Sequence, residues 1–272
     1  MTPFAAKTHH HVEVFTLSVW YSPSDMEILI PAYNYPSPGG QFWERLIQSA
    51  QFVRITAIVN PGSGPGTTQD ANYQTMITRL VQHNIRTIGY VSTSWANRSM
   101  HDVKIDIDRW LALYPAIQGF FFDELTADSS AEHLQYYAEL REYVRQRGEK
   151  LYIVGNPGCC TTEHYCNLVD QIVLFEQHEG FQSFSVPHWA SKLTGGFGIL
   201  RYACADKREM FNTVRAAANS GAKSIYVTDR GAHGSNPWAE LPTYWDDFVQ
   251  AIREPARMVR TMKAKKRKCI VQ

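Results

Sequence analysis

The chain has 272 residues, 44% of them hydrophobic and 12% aromatic, and its formal net charge is +1. That composition excludes a disordered chain and is long enough to bury a large core. The near-zero charge gives none of the basic field that a general nucleic-acid binder uses, so nucleic acid is not an expected partner. Residues 1–27 read as a lead-in segment. The opening "MTPFAAKTHHHVEVFTLSVW" is a poor export leader, with one Lys, the cluster His9, His10 and His11, and Glu13 inside its only apolar run. No window reaches 18 uninterrupted apolar residues, so no membrane span is expected. The five cysteines, Cys159, Cys160, Cys166, Cys204 and Cys269, are an odd set. Without a leader they fit reduced thiols and a cytoplasmic setting better than a disulfide framework.

From residue 28 one pattern recurs eight times: a short apolar run closes on a polar or Gly/Pro loop. The runs are "ILIPAYNYP", "RITAIVNPG", "IRTIGYVST", "IQGFFFDEL", "KLYIVGNPG", "QIVLFEQ", "GILRYACA" and "KSIYVTDRG". They are nearly continuous in apolar residues, as strands buried on both faces are. Helical spacing fills several gaps between them. "QFWERLIQSA" comes first, then "QDANYQTMITRLVQHN", with Tyr73, Met76, Ile77, Leu80 and Val81 on one face. "HDVKIDIDRWLALY" and "SAEHLQYYAELREYVRQRG" follow, the latter striped by Leu134, Tyr137, Leu140, Tyr143 and Val144 with Gly148 as its stop. "DKREMFNTVRAAANSG" has Asp206 at its start and Gly221 at its end. The weakest helix is expected after "QIVLFEQ", where Pro187 and a Gly pair intervene. Alternating strands and helices imply parallel pairing and right-handed crossovers. Eight units in this length point to an α/β fold, a single (β/α)8 TIM barrel over residues 28–253, followed by a basic tail at 254–272.

In such a barrel the chemistry lies at the C-terminal strand ends. Those ends carry Tyr33 and Tyr35, Asn60, Tyr90 with Thr93, Asp123 with Glu124, Asn156, Glu176, Tyr202, and Asp229 with Arg230. Paired carboxyls facing one cleft suit glycoside hydrolysis, one as acid and the other as nucleophile or base. Phe120–Phe122 supply the apolar surroundings that raise a carboxyl's pKa. Asp123 and Glu124 are neighbours on a strand, so regular alternation sends them to opposite sides. Structural roles compete with this reading, because acids at strand ends also cap helices or pair with cations. The loop "NPGSGPG" lacks the Lys and Ser/Thr of a phosphate loop and reads as a tight wall. "GCCTTEHYC" gathers thiols and His164, but adjacent cysteines are awkward tetrahedral ligands, so no metal is expected.

"IPAYNYP", "ITAIVNPGSGPG", "IGYVSTSWANR", "DIDRWLALYPAIQGFFFDE", "VGNPG" and "IVLFE" stand in order from about residue 28 to about 250. Together they resemble the spherulin-4-like family, which includes the fungal glycoside hydrolases of family 135. The resemblance implies a (β/α)8 barrel with endo-α-1,4-N-acetylgalactosaminidase-type activity on galactosaminogalactan. It implies Asp123, Glu124 and Glu176 as catalytic carboxylates, with Asn156 lining the site. Tyr33, Asn60 and Tyr90 join Asn156 as expected substrate contacts. No metal or organic cofactor is called for. The competing reading is a non-catalytic barrel that binds glycan or a protein partner in stress or sporulation.

The chain ends "KAKKRKCIVQ". Cys269-Ile270-Val271-Gln272 fits C-a-a-X with a farnesyl-type final residue, and a basic cluster precedes it. A prenyl group plus a polybasic patch is the two-signal arrangement for peripheral attachment to a cytosolic membrane face.

Overall fold

The computed structural model describes residues 26–231 and 234–253. The His9–His11 cluster and the tail with Cys269 lie outside the described residues. Eight strands close into a parallel barrel in sequence order: β1 (Glu27–Ala32), β2 (Ile55–Val59), β3 (Arg86–Ser92), β4 (Gly119–Asp123), β5 (Tyr152–Asn156), β6 (Gln171–Gln177), β7 (Phe197–Arg201) and β8 (Ser224–Val227). β1 pairs with both β2 and β8, which leaves no open edge. The apolar runs become these strands because both faces are covered. Alternate side chains fill the barrel and the others pack under the helices.

Six α-helices surround the barrel among the described residues: α1 (Gln41–Ser49), α2 (Ala71–Gln82), α3 (Met100–Leu113), α4 (Ala131–Arg147), α5 (Lys207–Asn219) and α6 (Trp245–Arg253). Local chemistry sets their ends. Asp70, Ser99, Ser130 and Asp206 accept hydrogen bonds from backbone N–H groups in the first turns of α2, α3, α4 and α5. α5 stops at a left-handed Gly221, φ 83°, with N–H bonds from Gly221 to Ala218 and from Ala222 to Ala217. At the equivalent place after α2 the left-handed residue is Asn84.

Two of the eight units depart from the regular pattern. The β5–β6 connection holds only a 3-10 turn at Glu163–Asn167. The expected helix after β6 is absent, and two 3-10 turns at Phe181–Ser183 and His188–Lys192 take its place. Pro187 withholds an N–H at the head of the second turn, and left-handed Gly180 and Gly196 bend the chain at either end. α6 was not anticipated, although Trp245, Phe248, Val249 and Ile252 lie at helical spacing and are buried.

Candidate active site

Strand parity brings most of the expected residues to one place. In β3 and β4, Tyr90 is in register with Phe121 and Ser92 with Asp123. In β4 and β5, Asp123 is in register with Asn156. Their side chains share the inner face of the barrel mouth. Asn156 is the centre of the cluster, 3% exposed. Its Nδ2 donates to Asp123 Oδ1 at 2.7 Å and to Glu176 Oε2 at 2.5 Å. Its Oδ1 accepts from the Gly158 N–H at 3.1 Å. The side-chain amide expected to touch substrate is therefore engaged on both ends, and it serves to hold two carboxyls together.

Glu176 reaches the cluster through an irregularity in β6. The register with β7 slips between Val173 and Phe175. Val173 faces the interior beside Gly198 and Leu29. Plain alternation would then turn Phe175 inward and Glu176 outward. The bulge adds one residue and reverses that, so Phe175 packs outside against Phe181 and Phe184. Glu176 is re-aimed to the mouth.

A second irregularity handles Glu124. Its φ is +56°, the left-handed region. That conformation breaks the alternation after Asp123, so both neighbours turn to the same barrel mouth rather than to opposite sides of the sheet. Glu124 Oε2 accepts from Ser92 Oγ at 2.5 Å and from Ser94 Oγ at 3.4 Å. Its backbone carbonyl accepts from Thr93 Oγ1 at 2.9 Å and from the Trp95 N–H at 2.7 Å. The donating loop is itself left-handed at three successive residues, Ser94 (φ 47°), Trp95 (φ 53°) and Ala96 (φ 64°). Each such residue costs about 1–2 kcal/mol outside Gly, so the surrounding bonds must over-determine the turn. Arg98 does part of that, donating to the Ser92 carbonyl at 2.8 Å while pairing with Asp106 at 2.7 Å.

The electrostatics separate the two bridged acids from ordinary surface carboxylates. Burial pushes Glu176 up to about 7, and the Asn156 bond only partly opposes it. Burial also raises Asp123, against hydrogen bonds from Tyr90 and Asn156 that favour its charged form. Tyr90 is held well above its usual range by burial and by Asp123, and Tyr33 by burial, Asp123, Tyr90 and Glu176. Both phenols are therefore neutral donors. Tyr33 and Tyr90 meet edge to face, centroids 5.9 Å apart.

Asn60 is placed differently. Its Oδ1 accepts from the Gly64 N–H at 2.8 Å and folds the loop that follows β2. At the far side of the mouth the His178 and Tyr202 rings meet at a tilt, centroids 5.5 Å apart, and Tyr202 contacts Trp238 at 5.9 Å. Strand-end reading alone does not single out Trp95, Ser92 or His178. Cys159 and Cys160 are exposed and Cys166 is buried, all as free thiols. Among the described residues no group of three or more His, Cys, Asp or Glu could hold a metal ion, and no helix is long and apolar enough to cross a membrane.

Comparison with known proteins places the fold in a family. The family model described as spherulation-specific family 4 matches residues 27–252. Spherulin-4 of Physarum polycephalum is 28% identical over 247 residues, covering 85% of this chain and 71% of its own. The crystal structure of Aspergillus clavatus Sph3 in complex with GalNAc superposes with a TM-score of 0.71 at 26% identity, over 85% of this chain and 98% of Sph3. A chitinase from Rhizomucor miehei shares the fold alone, with a TM-score of 0.54 at 9% identity over 84% of this chain and 99% of the chitinase.

Proposed function

From the premise that the chain belongs to spherulation-specific family 4, we propose that it is a glycoside hydrolase whose acid pair is Asp123 and Glu176. The observation that carries this is the Asn156 bridge. One part-buried nitrogen holds an oxygen of each carboxyl, at 2.7 and 2.5 Å. Sharing one nitrogen at 2.7 and 2.5 Å keeps the two bonded oxygens no more than about 5.2 Å apart, and we read that short spacing as favouring the retaining arrangement over the inverting one. Glu176, with its proton held to about pH 7, is the general acid. Asp123, with hydrogen bonds from Tyr90 and Asn156 favouring its charged form, is the nucleophile.

The steps balance without a cofactor. The Glu176 proton moves to the glycosidic oxygen as the Asp123 carboxylate attacks the anomeric carbon. The C–O bond to the leaving sugar breaks and a glycosyl ester forms. Glu176, now ionised, takes a proton from water, and the resulting hydroxide releases the sugar and frees Asp123. Glu124, anchored by Ser92 and Ser94, lies beside the pair and adds negative charge where positive charge develops on the sugar. Tyr33 and Tyr90 offer neutral phenols to substrate hydroxyls.

The substrate class in this proposal is an α-1,4-linked polysaccharide containing N-acetylgalactosamine, cut internally. The bound GalNAc of Sph3 and the motif resemblance both favour an amino-sugar polymer. The test is release of reducing ends from galactosaminogalactan by the wild-type protein and by Glu176→Gln. Turnover that disappears in the variant while polymer binding persists supports the enzyme. Binding with no turnover in either protein favours a carbohydrate-binding barrel instead. The Cys269 motif adds a separate proposal, peripheral membrane attachment through a prenyl group. Intact-mass measurement of the protein from a eukaryotic host tests it by the presence or absence of a farnesyl adduct.

A further inference from the structure

The turn after β3 combines three facts that a plain surface loop does not need together. Ser94, Trp95 and Ala96 are all left-handed, although none is Gly or Asn. The Trp95 N–H is bonded at 2.7 Å to the carbonyl of Glu124, one of the site's acids. Trp95 is 54% exposed, the most of the three exposed large aromatics among the described residues, the others being Tyr35 and Phe52. A lone exposed aromatic is common, but one carried on a strained backbone locked to a carboxylate residue is not. Strain of this kind clusters at active sites and ligand clamps.

The position within the ring of strands gives that use a geometry. β3 and β7 are four places apart in a closed barrel of eight, so their ends lie on opposite sides of the mouth. β5, with the bridging Asn156, lies midway between them, flanked by the acids of β4 and β6. Trp95 follows β3, and Tyr202 follows β7 with the His178 ring tilted against it, centroids 5.5 Å apart. One aromatic residue therefore follows a strand on each side of the proposed cleavage point.

We infer that Trp95 is a stacking platform for a sugar ring of the polymer beyond the residue that is cleaved, making the site read chain length. This rests on the hydrolase reading for the substrate class, but not on turnover. The ring presents a flat apolar face of the kind that the C–H face of a pyranose covers. The left-handed turn holds it ready, so little ordering entropy is lost when the sugar binds.

The test measures binding in a Glu176→Gln background, which removes hydrolysis. Affinities are compared for monomeric GalNAc and for α-1,4-linked N-acetylgalactosamine oligomers of increasing length. The expected result is that Trp95→Asn, a residue that tolerates the left-handed turn, weakens long oligomers by about tenfold or more and leaves the monosaccharide unchanged. Trp95→Tyr should restore most of the loss. Equal loss for monomer and oligomer, or no loss for either, overturns the inference, as does failure of every oligomer to bind the background protein. Hydroxyl-radical footprinting of the Glu176→Gln protein, with Trp95 intact, gives a readout free of folding effects. Long oligomers should protect Trp95 from oxidation, and unchanged oxidation contradicts the inference. If the wild-type protein turns over no polymer but the length-dependent pattern holds, the hydrolase reading fails and the stacking site stands.

Discussion

Gly158 donates its backbone N–H to the side-chain oxygen of Asn156 at 3.1 Å, and that bond decides which way the amide faces. With the oxygen committed to Gly158, the NH2 group is left to bridge Asp123 and Glu176. Asn156→Asp keeps the shape and the Gly158 acceptor but removes both donors and adds a third negative charge. Turnover should fall roughly 100-fold or more at neutral pH while the fold survives, because the bridging donor that pairs acid with nucleophile is gone. Steady-state kcat with circular dichroism on the same sample checks this. An active Asn156→Asp variant would show that the bridge does not organise catalysis.

The proton on Glu176 sets the alkaline side of the rate profile. Burial raises this group to about 7, so the acid form is the majority species below that pH and is lost above it. kcat/KM should therefore decline as pH rises through about 7, roughly tenfold per pH unit beyond. A rate that stays level well into the alkaline range would assign the acid role elsewhere.

The same shift acts on stability. The folded-state pKa of Glu176 is above its ordinary value of 4.5, so the folded form holds the proton more tightly than the unfolded chain. That contribution is fully present below about pH 4.5 and is lost as pH rises through about 7. Glu176→Gln, which cannot ionise, should flatten this part of the curve and raise stability at alkaline pH relative to wild type. Denaturant midpoints measured on either side of neutrality test the sign. A wild-type protein that gains more stability with rising pH than the variant would contradict a buried protonated Glu176.

How far these features could be read in advance follows from where local rules hold. The run Phe120–Phe122 announces a strand buried on both faces, and it is one: Phe120 and Phe122 stack on each other at 6.2 Å, and Phe121 meets Tyr90 inside. The barrel and the level of the acids were legible for that reason. The aim of those acids was not. Period-two alternation separates Asp123 from Glu124, yet a single left-handed φ reunites them. Nothing in "QIVLFEQ" shows that one extra residue will turn Glu176 inward. A polar strand end also does not disclose that the Asn60 side-chain oxygen takes a backbone partner four residues on. The missing helix after β6 was foreshadowed by Pro187, whereas α6 went unread although Asp246 and Asp247 in its first turn are a helix-start signal.

Gly89 tests the packing that positions Tyr90. It lies on the outer face of β3, where an added Cβ would come within 2.6 Å of the Trp110 ring. Trp110 is fully buried, and its Nε1 donates to the Tyr90 carbonyl at 2.9 Å, so the ring has no room to retreat. Gly89→Ala should destabilise the protein by about 1–3 kcal/mol and reduce activity through displaced Tyr90, measured by thermal unfolding and kcat together. A neutral substitution would mean that the β3–α3 contact is looser than the distances imply.

The central claim is that Asp123 and Glu176 act as a nucleophile and acid pair held at short range by Asn156. Time-resolved proton NMR of the first product released from an α-linked N-acetylgalactosamine oligomer tests it most directly. The pair predicts that the α-anomer appears first and only later equilibrates, with no product from Asp123→Asn or Glu176→Gln. Initial appearance of the β-anomer, or undiminished release by either variant, would contradict it.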